Sequence, residues 1–168
     1  MTTTKFTSYY SPDFHGSRFP TERFKYPIYK WPTGPKEQNL TRTEIDFKGA
    51  LKGKGLEVFW LEASLFDIYL LQIQGGGRIT VHNEDGSTQV KYLSYAGKNK
   101  HPLRMIGKYM VEKGYIMPGK ATINQQRKFL EQNPDKEEEV FSTTPSYVFF
   151  YESDEEPVGV NNIPLTSG

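Results

Sequence analysis

The hydrophobic pattern is densest in one run, Phe66-Asp67-Ile68-Tyr69-Leu70-Leu71-Gln72-Ile73-Gln74. Its aromatic and branched residues suit a strand, in which alternate side chains share a face. A strand here sets Gln72 and Gln74 on the face of Phe66, Ile68 and Leu70, so an apolar face turns polar where Gly75-Gly76-Gly77-Arg78 begins. Ile79-Thr80-Val81 then continues as a second strand, and Leu56 to Leu61 precedes as a nearly continuous apolar strand. Asp85-Gly86 lies between Ile79–Val81 and Thr88–Tyr95, a strong hairpin signal because Gly accepts positive φ. Ser146 to Tyr151 reads as a last strand.

Other segments follow a helical period. Thr41 with Glu44 fits a capping box and predicts a helix of one or two turns. Leu103, Ile106, Gly107 and Met110 fall on one helical stripe, with Pro102 in the first turn and Gly114 as the stop. Thr122 and Gln125 form a second capping box, opening a helix that packs Ile123, Phe129 and Leu130 and ends near Asn133, before Pro134. Lys136 to Glu139 reads as a solvated charged face. In residues 1–36 the prolines Pro12, Pro27 and Pro32 restrict the chain to edge strands and polyproline-like turns. Glu152 to Gly168 has no pattern.

Composition narrows the class. The 168 residues suit one domain, or one with part of a second. Only 36% of residues are apolar, but 11 Phe, 11 Tyr and 2 Trp provide large side chains for a core. A net charge of +1 gives no basic stripe for nucleic acid. The chain has no cysteine, so no disulfide or thiolate metal site, and His15, His82 and His101 show no metal-ligand spacing. No apolar run approaches the roughly 20 residues of a membrane span, and the first residues carry no apolar signal-peptide core. No cofactor is expected.

The glutamine–glycine corner admits two readings. Two amides, a bare backbone and the Arg78 guanidinium would suit a neutral, hydroxyl-rich ligand. Equally, the glycines would make a bulge at a tight barrel corner, with the glutamines merely solvated. The aromatic run Phe24, Tyr26, Tyr29, Trp31, with Arg18 nearby, would stack on sugars or serve as packing. The glycine run is not a phosphate loop, since no Lys-Ser/Thr follows and a strand, not a helix, comes next.

Seven segments, in order across nearly the whole chain, resemble the lytic transglycosylase A family of bacterial murein-cleaving enzymes. They are Tyr9-Tyr10-Ser11-Pro12 with Gly16-Ser17-Arg18, Tyr26-Pro27-Ile28-Tyr29, Arg42-Thr43-Glu44-Ile45, Gln72 to Arg78, Tyr95-Ala96-Gly97-Lys98-Asn99, Ile106-Gly107, and Pro145 to Phe150. The family usually carries Ser at Gly76, Gly at Lys100, Asn at Thr144 and often Glu at Ser11, and Gly76 removes a hydroxyl from the candidate sugar-binding turn.

The resemblance implies a mainly β, α+β fold with two or three helices. It implies a small β-barrel insert domain over 41–145, flanked by strands of an incomplete double-psi β-barrel in 1–40 and a return strand and tail in 146–168. It implies cleavage of the β-1,4 MurNAc–GlcNAc bond of peptidoglycan without water, giving 1,6-anhydromuramoyl products. The substrate's own hydroxyl is the nucleophile, so one carboxyl is enough where hydrolases need two. The family's catalytic Asp lies beyond Gly168. Asp46, Glu62 and Asp67 are the nearest carboxylates to the corner, and nothing in the pattern marks them as that acid. By this resemblance Gln72, Gln74, Gly75, Gly76, Gly77, Arg78, Tyr95, Asn99, Tyr10 and Arg18 form one wall of the glycan groove. The partners are peptidoglycan strands, with other cell-wall enzymes as further candidates, and the location is the Gram-negative envelope. The alternative is a stand-alone, non-catalytic glycan-binding module.

Overall fold

A computed structural model of the chain describes residues 9–10, 13–156 and 163–164, the first and last pairs by backbone only. Its centre is a mixed six-stranded sheet. The strands are β2 (Asp13–Ser17), β3 (Tyr26–Tyr29), β4 (Glu57–Leu61), β5 (Gly76–His82), β6 (Thr88–Lys98) and β7 (Val148–Ser153), in the order β3-β4-β2-β5-β6-β7. Only β2 and β5 run parallel; every other pair is antiparallel. The Asp85-Gly86 hairpin forms as its residues predict, with His82 opposite Thr88. Pro27 lies on edge strand β3, where a missing N–H is tolerated. A separate ribbon pairs β1 (Tyr9–Tyr10) with β8 (Ile163–Pro164).

The expected strand over Phe66–Gln74 is instead a helix, α2 (Leu65–Gln74). Ser64 accepts a hydrogen bond from Asp67 N at 3.1 Å, and the Asp67 carboxylate accepts one from Ser64 N, a reciprocal capping box. Gly75, at φ +88°, closes the far end in the left-handed region that other residues avoid. The strand-like pattern arises because α2 is buried on two sides. Ile68 and Leu71 join Phe14, Phe59, Ile79, Leu93 and Phe150 beneath the sheet. Phe66, Tyr69 and Leu70 join a second core with Ile106, Met110, Leu130, Val140 and Phe141. A helix apolar nearly all round loses its 3.6-residue signature. In consequence Gln72 and Gln74 do not share a face.

The second core is built by α3 (Ile106–Glu112), α4 (Ile123–Gln132) and α5 (Glu137–Phe141). α4 begins at its Thr122 cap, whose hydroxyl accepts from Gln125 N at 3.1 Å. α3 starts later than Pro102. Arg104 N donates to Thr144 Oγ1 and Ile106 N to the Tyr69 hydroxyl, so tertiary bonds hold the segment before Ile106 outside the helix and fix its start there. The Lys136–Glu139 run is not merely solvated: Glu139 accepts from the hydroxyls of Tyr109 and Tyr115 at 2.6 and 2.5 Å. A short helix, α1 (Pro35–Gln38), and a π-helical turn, Thr43–Phe47, precede β4. The Thr41–Glu44 box is present, Thr41 N donating to Glu44 at 2.9 Å and Glu44 N to the Thr41 hydroxyl at 3.2 Å.

Two expectations about architecture need correction. The described residues hold five short α-helices besides the π-turn, not two or three. The sheet is open, ending at β3 and β7. These edges do not close through a ladder; Tyr29 of β3 and Phe149 of β7 instead share an aromatic cluster with Tyr147. Mainly β, α+β remains the class.

Candidate functional site

The hairpin register builds an open polar face. Residues directly opposite on neighbouring strands share a face. Gly76 on β5 faces Ser94 on β6, which faces Tyr151 on β7. The next row is Asp13, Arg78, Tyr92 and Ser153 across four strands. Arg78 Nη1 binds the Asp13 carboxylate at 3.1 Å, and both side chains remain about half exposed. Tyr151 and Tyr95 are each 52% exposed. Gln74 ends α2 beside this face; its side chain is buried and its Oε1 has no partner. One face therefore collects Gly76, Arg78, Ser94, Tyr92, Tyr151 and Asp13, with Gln74 and Gly75 leading into it, whereas Gly77 and Tyr95 pair with Leu93 and Phe150 at the alternate positions. Amide, guanidinium, hydroxyl and aromatic groups around a backbone bare of side chains can bind a neutral polyol by hydrogen bonds and stacking.

Three predicted residues sit elsewhere. Gln72 faces inward, its Oε1 accepting from Arg42 Nη2 at 2.6 Å and from Val148 N at 3.3 Å, while its Nε2 is buried without a partner. Asn99 is a buried bracket: Nδ2 donates to Leu40 O and Pro145 O, and Oδ1 accepts from Tyr147 N and His101 N. Arg18 pairs in a fork with Glu152 at 3.0 and 2.9 Å and lies over the Phe59 ring. Glu152 stands opposite Leu93, on the face away from Arg78. The side chain of Tyr10 lies outside the described residues.

Pattern reading missed the polar centre behind the corner. Arg42 is 1% exposed. It donates to Thr144 O, Gln72 Oε1 and Ser146 O, stands 3.6 Å from Asp46, and lies against the rings of Tyr69 and Tyr147. It thereby ties the π-turn, α2 and the segment entering β7 together, fixing the support of the corner. Burial pushes the Asp46 carboxyl up to about 6, although the Arg42 guanidinium pulls the other way. Burial likewise raises the Tyr147 phenol well above its usual range. The Arg42–Asp46 spacing, i to i+4 on a helical turn, was the available signal. Tyr92 and Ser94 were also within reach, because the hairpin at Asp85-Gly86 sets them opposite Arg78 and Gly76.

His15 and His82, 67 positions apart in sequence, meet on β2 and β5 with Nδ1 and Nε2 2.8 Å apart. Burial, followed by Arg23 and His15, depresses the His82 pKa. Among the described residues no group of three or more His, Cys, Asp or Glu is arranged to hold a metal ion. No helix among them is long and apolar enough to cross a membrane.

Comparison with known proteins gives a consistent answer. Residues 5–151 match the MltA specific insert domain family. The membrane-bound lytic murein transglycosylase A of Vibrio cholerae is 37% identical over 162 residues, covering 95% of this chain and 42% of the relative. The Escherichia coli K12 protein of the same name is 35% identical, covering 96% and 43%. The chain thus spans less than half the length of these relatives. The crystal structure of E. coli MltA with bound chitohexaose superposes with a TM-score of 0.75 at 32% identity, covering 92% of this chain and 44% of that one. The lytic transglycosylase LtgG of Burkholderia pseudomallei gives 0.72 at 34% identity, covering 94% and 47%.

Proposed function

This chain belongs to the MltA family, through that family's specific insert domain, and from that membership we propose that it supplies one wall of the glycan groove of a peptidoglycan lytic transglycosylase of the cell envelope. The observation that carries the reading is the corner at Gly75–Arg78. Bare backbone, exposed tyrosines and an arginine there offer what N-acetylated sugars bind, and a related structure holds a chitohexaose. We assign the β1–β8 ribbon, which pairs the two ends of the described chain apart from the main sheet, to the neighbouring barrel.

In the reaction, an acid protonates the glycosidic oxygen as the bond from the muramoyl anomeric carbon to that oxygen breaks. The same group, now a base, takes the proton from the muramoyl 6-hydroxyl as that oxygen bonds to the anomeric carbon. Proton and bonds balance, water is not consumed, and the product is the 1,6-anhydro sugar. The acid must be protonated near neutral pH. Asp46 has a raised carboxyl, but its side chain is mostly buried and stands 3.6 Å from the Arg42 guanidinium, so it is not an open proton donor for a glycan. We therefore place the acid outside these 168 residues, with this chain binding and orienting the strand. Half a groove buries little ligand, so the chain alone binds weakly and does not cleave.

The test is digestion of purified peptidoglycan, with mass spectrometry for 1,6-anhydromuramoyl ends. The chain alone should yield none above a blank, whereas the chain continued by a relative's remaining segment should yield them. Products from the chain alone would locate the acid within it. A continued chain that folds, binds glycan and cleaves nothing would favour a non-catalytic binding module.

A further inference from the structure

A second concave surface lies among the helices, in elements that contribute nothing to the corner. It is a groove of about 740 Å³ between the segment 115–120 and one side of α4. Gln125, Lys128, Phe129 and Gln132 fall at i, i+3, i+4 and i+7, a single stripe of α4 that forms one wall. Its floor is Tyr115 stacked on Phe129, with ring centres 4.9 Å apart and planes 15° from parallel. Met117, 70% exposed, stands on the opposite rim.

The charge of the groove is one-sided. Lys120 and Lys128 line it, no acidic side chain does, and neither ammonium is in an ion pair among the described residues. Lys136 adds a third ammonium over the Tyr115 ring, 5.6 Å from its centre. Glu139, beside Tyr115, is engaged by the hydroxyls of Tyr109 and Tyr115. The site thus has an aromatic floor, two rim amides and unpaired positive charge.

We propose that this groove binds an acidic peptide segment, with carboxylates at Lys120 and Lys128 and an apolar side chain on the Tyr115–Phe129 floor. Rim amides both donate and accept, which matches a peptide backbone. A membrane surface would require a protruding basic and apolar face, whereas this one is concave. The volume lies within the range of sites that enclose a small ligand. The proposal goes beyond the glycan reading and does not depend on it.

The experiment is an NMR titration of the whole 168-residue chain with a short peptide alternating Glu and Leu. Amide shifts should cluster on residues 115–132 and leave Gly75–Arg78 unmoved. The double variant Lys120→Glu/Lys128→Glu, both positions exposed, should keep the native spectrum elsewhere and bind roughly ten-fold more weakly. Added salt should weaken wild-type binding. A peptide with Gln in place of Glu that binds equally well, or shifts that fall outside 115–132, would overturn the proposal. So would tighter capture by phosphatidylglycerol vesicles that the double variant abolishes, since that would make the face a membrane contact. Loss of glycan binding at the corner would leave this result untouched, so the two readings fail separately.

Discussion

Replacing Asp46 by Asn should stabilise the protein near neutral pH. The Asp46 side chain is 12% exposed, and its carboxyl titrates at about 6 where an ordinary one does so at 3.8. Because burial raises the folded-state pKa above the unfolded one, the fold binds the proton more tightly. Its contribution to stability is fully present below about pH 3.8 and is lost as pH rises through about 6. That displacement corresponds to about 3 kcal/mol, at about 1.4 kcal/mol per pH unit. The value already includes the attraction of Arg42, so burial outweighs the guanidinium, and near neutral pH the fold carries the ionised carboxylate at a cost. Asparagine imitates that neutral form. Urea unfolding followed by tryptophan fluorescence should therefore give a variant more stable than wild type by up to about 3 kcal/mol at about pH 7.5. The advantage should shrink toward zero by about pH 4. A variant that loses stability near neutrality, or a difference constant across this pH range, would refute the reasoning. Either result would mean that Arg42 depends on the ionised carboxylate more than burial opposes it.

Arg42→Met should be among the most damaging substitutions. It removes the Arg42 donor from Thr144 O and Ser146 O and leaves Gln72 Oε1 only its longer bond from Val148 N, and should cost about 3–5 kcal/mol in urea unfolding. Gly97→Ala should expel Trp31, because a Cβ there would stand 2.3–2.8 Å from three atoms of its ring. Trp31 is 37% exposed already, so its emission should shift to the red and stability should fall by about 1–3 kcal/mol.

Local chemistry made much of this fold legible. The Asp85-Gly86 turn, the Thr41–Glu44 box and the Thr122 cap each act within a few residues, and each forms as the sequence predicts. What escaped depends on contacts between distant residues. α2 passes for a strand because cores on both sides erase its polar face, although Ser64, Asp67 and Gly75 carried the opposite signal. Pro102 suggested a helix start that bonds from 104–106 to Tyr69 and Thr144 move downstream. At the candidate site, the turn and its arginine were legible, since glycines and charge are local features. The inward roles of Gln72 and Asn99 were not, because their partners come from Leu40, Arg42 and residues 145–148.

The claim that the corner is a glycan surface is tested most directly by titrating the isotopically labelled chain with chitohexaose and mapping the shifted amides. The account predicts weak, saturable shifts confined to Gln74–Arg78, Tyr92–Tyr95 and Tyr151, reduced in Arg78→Ala. Shifts centred on the α4 groove, or none at millimolar ligand, would contradict it.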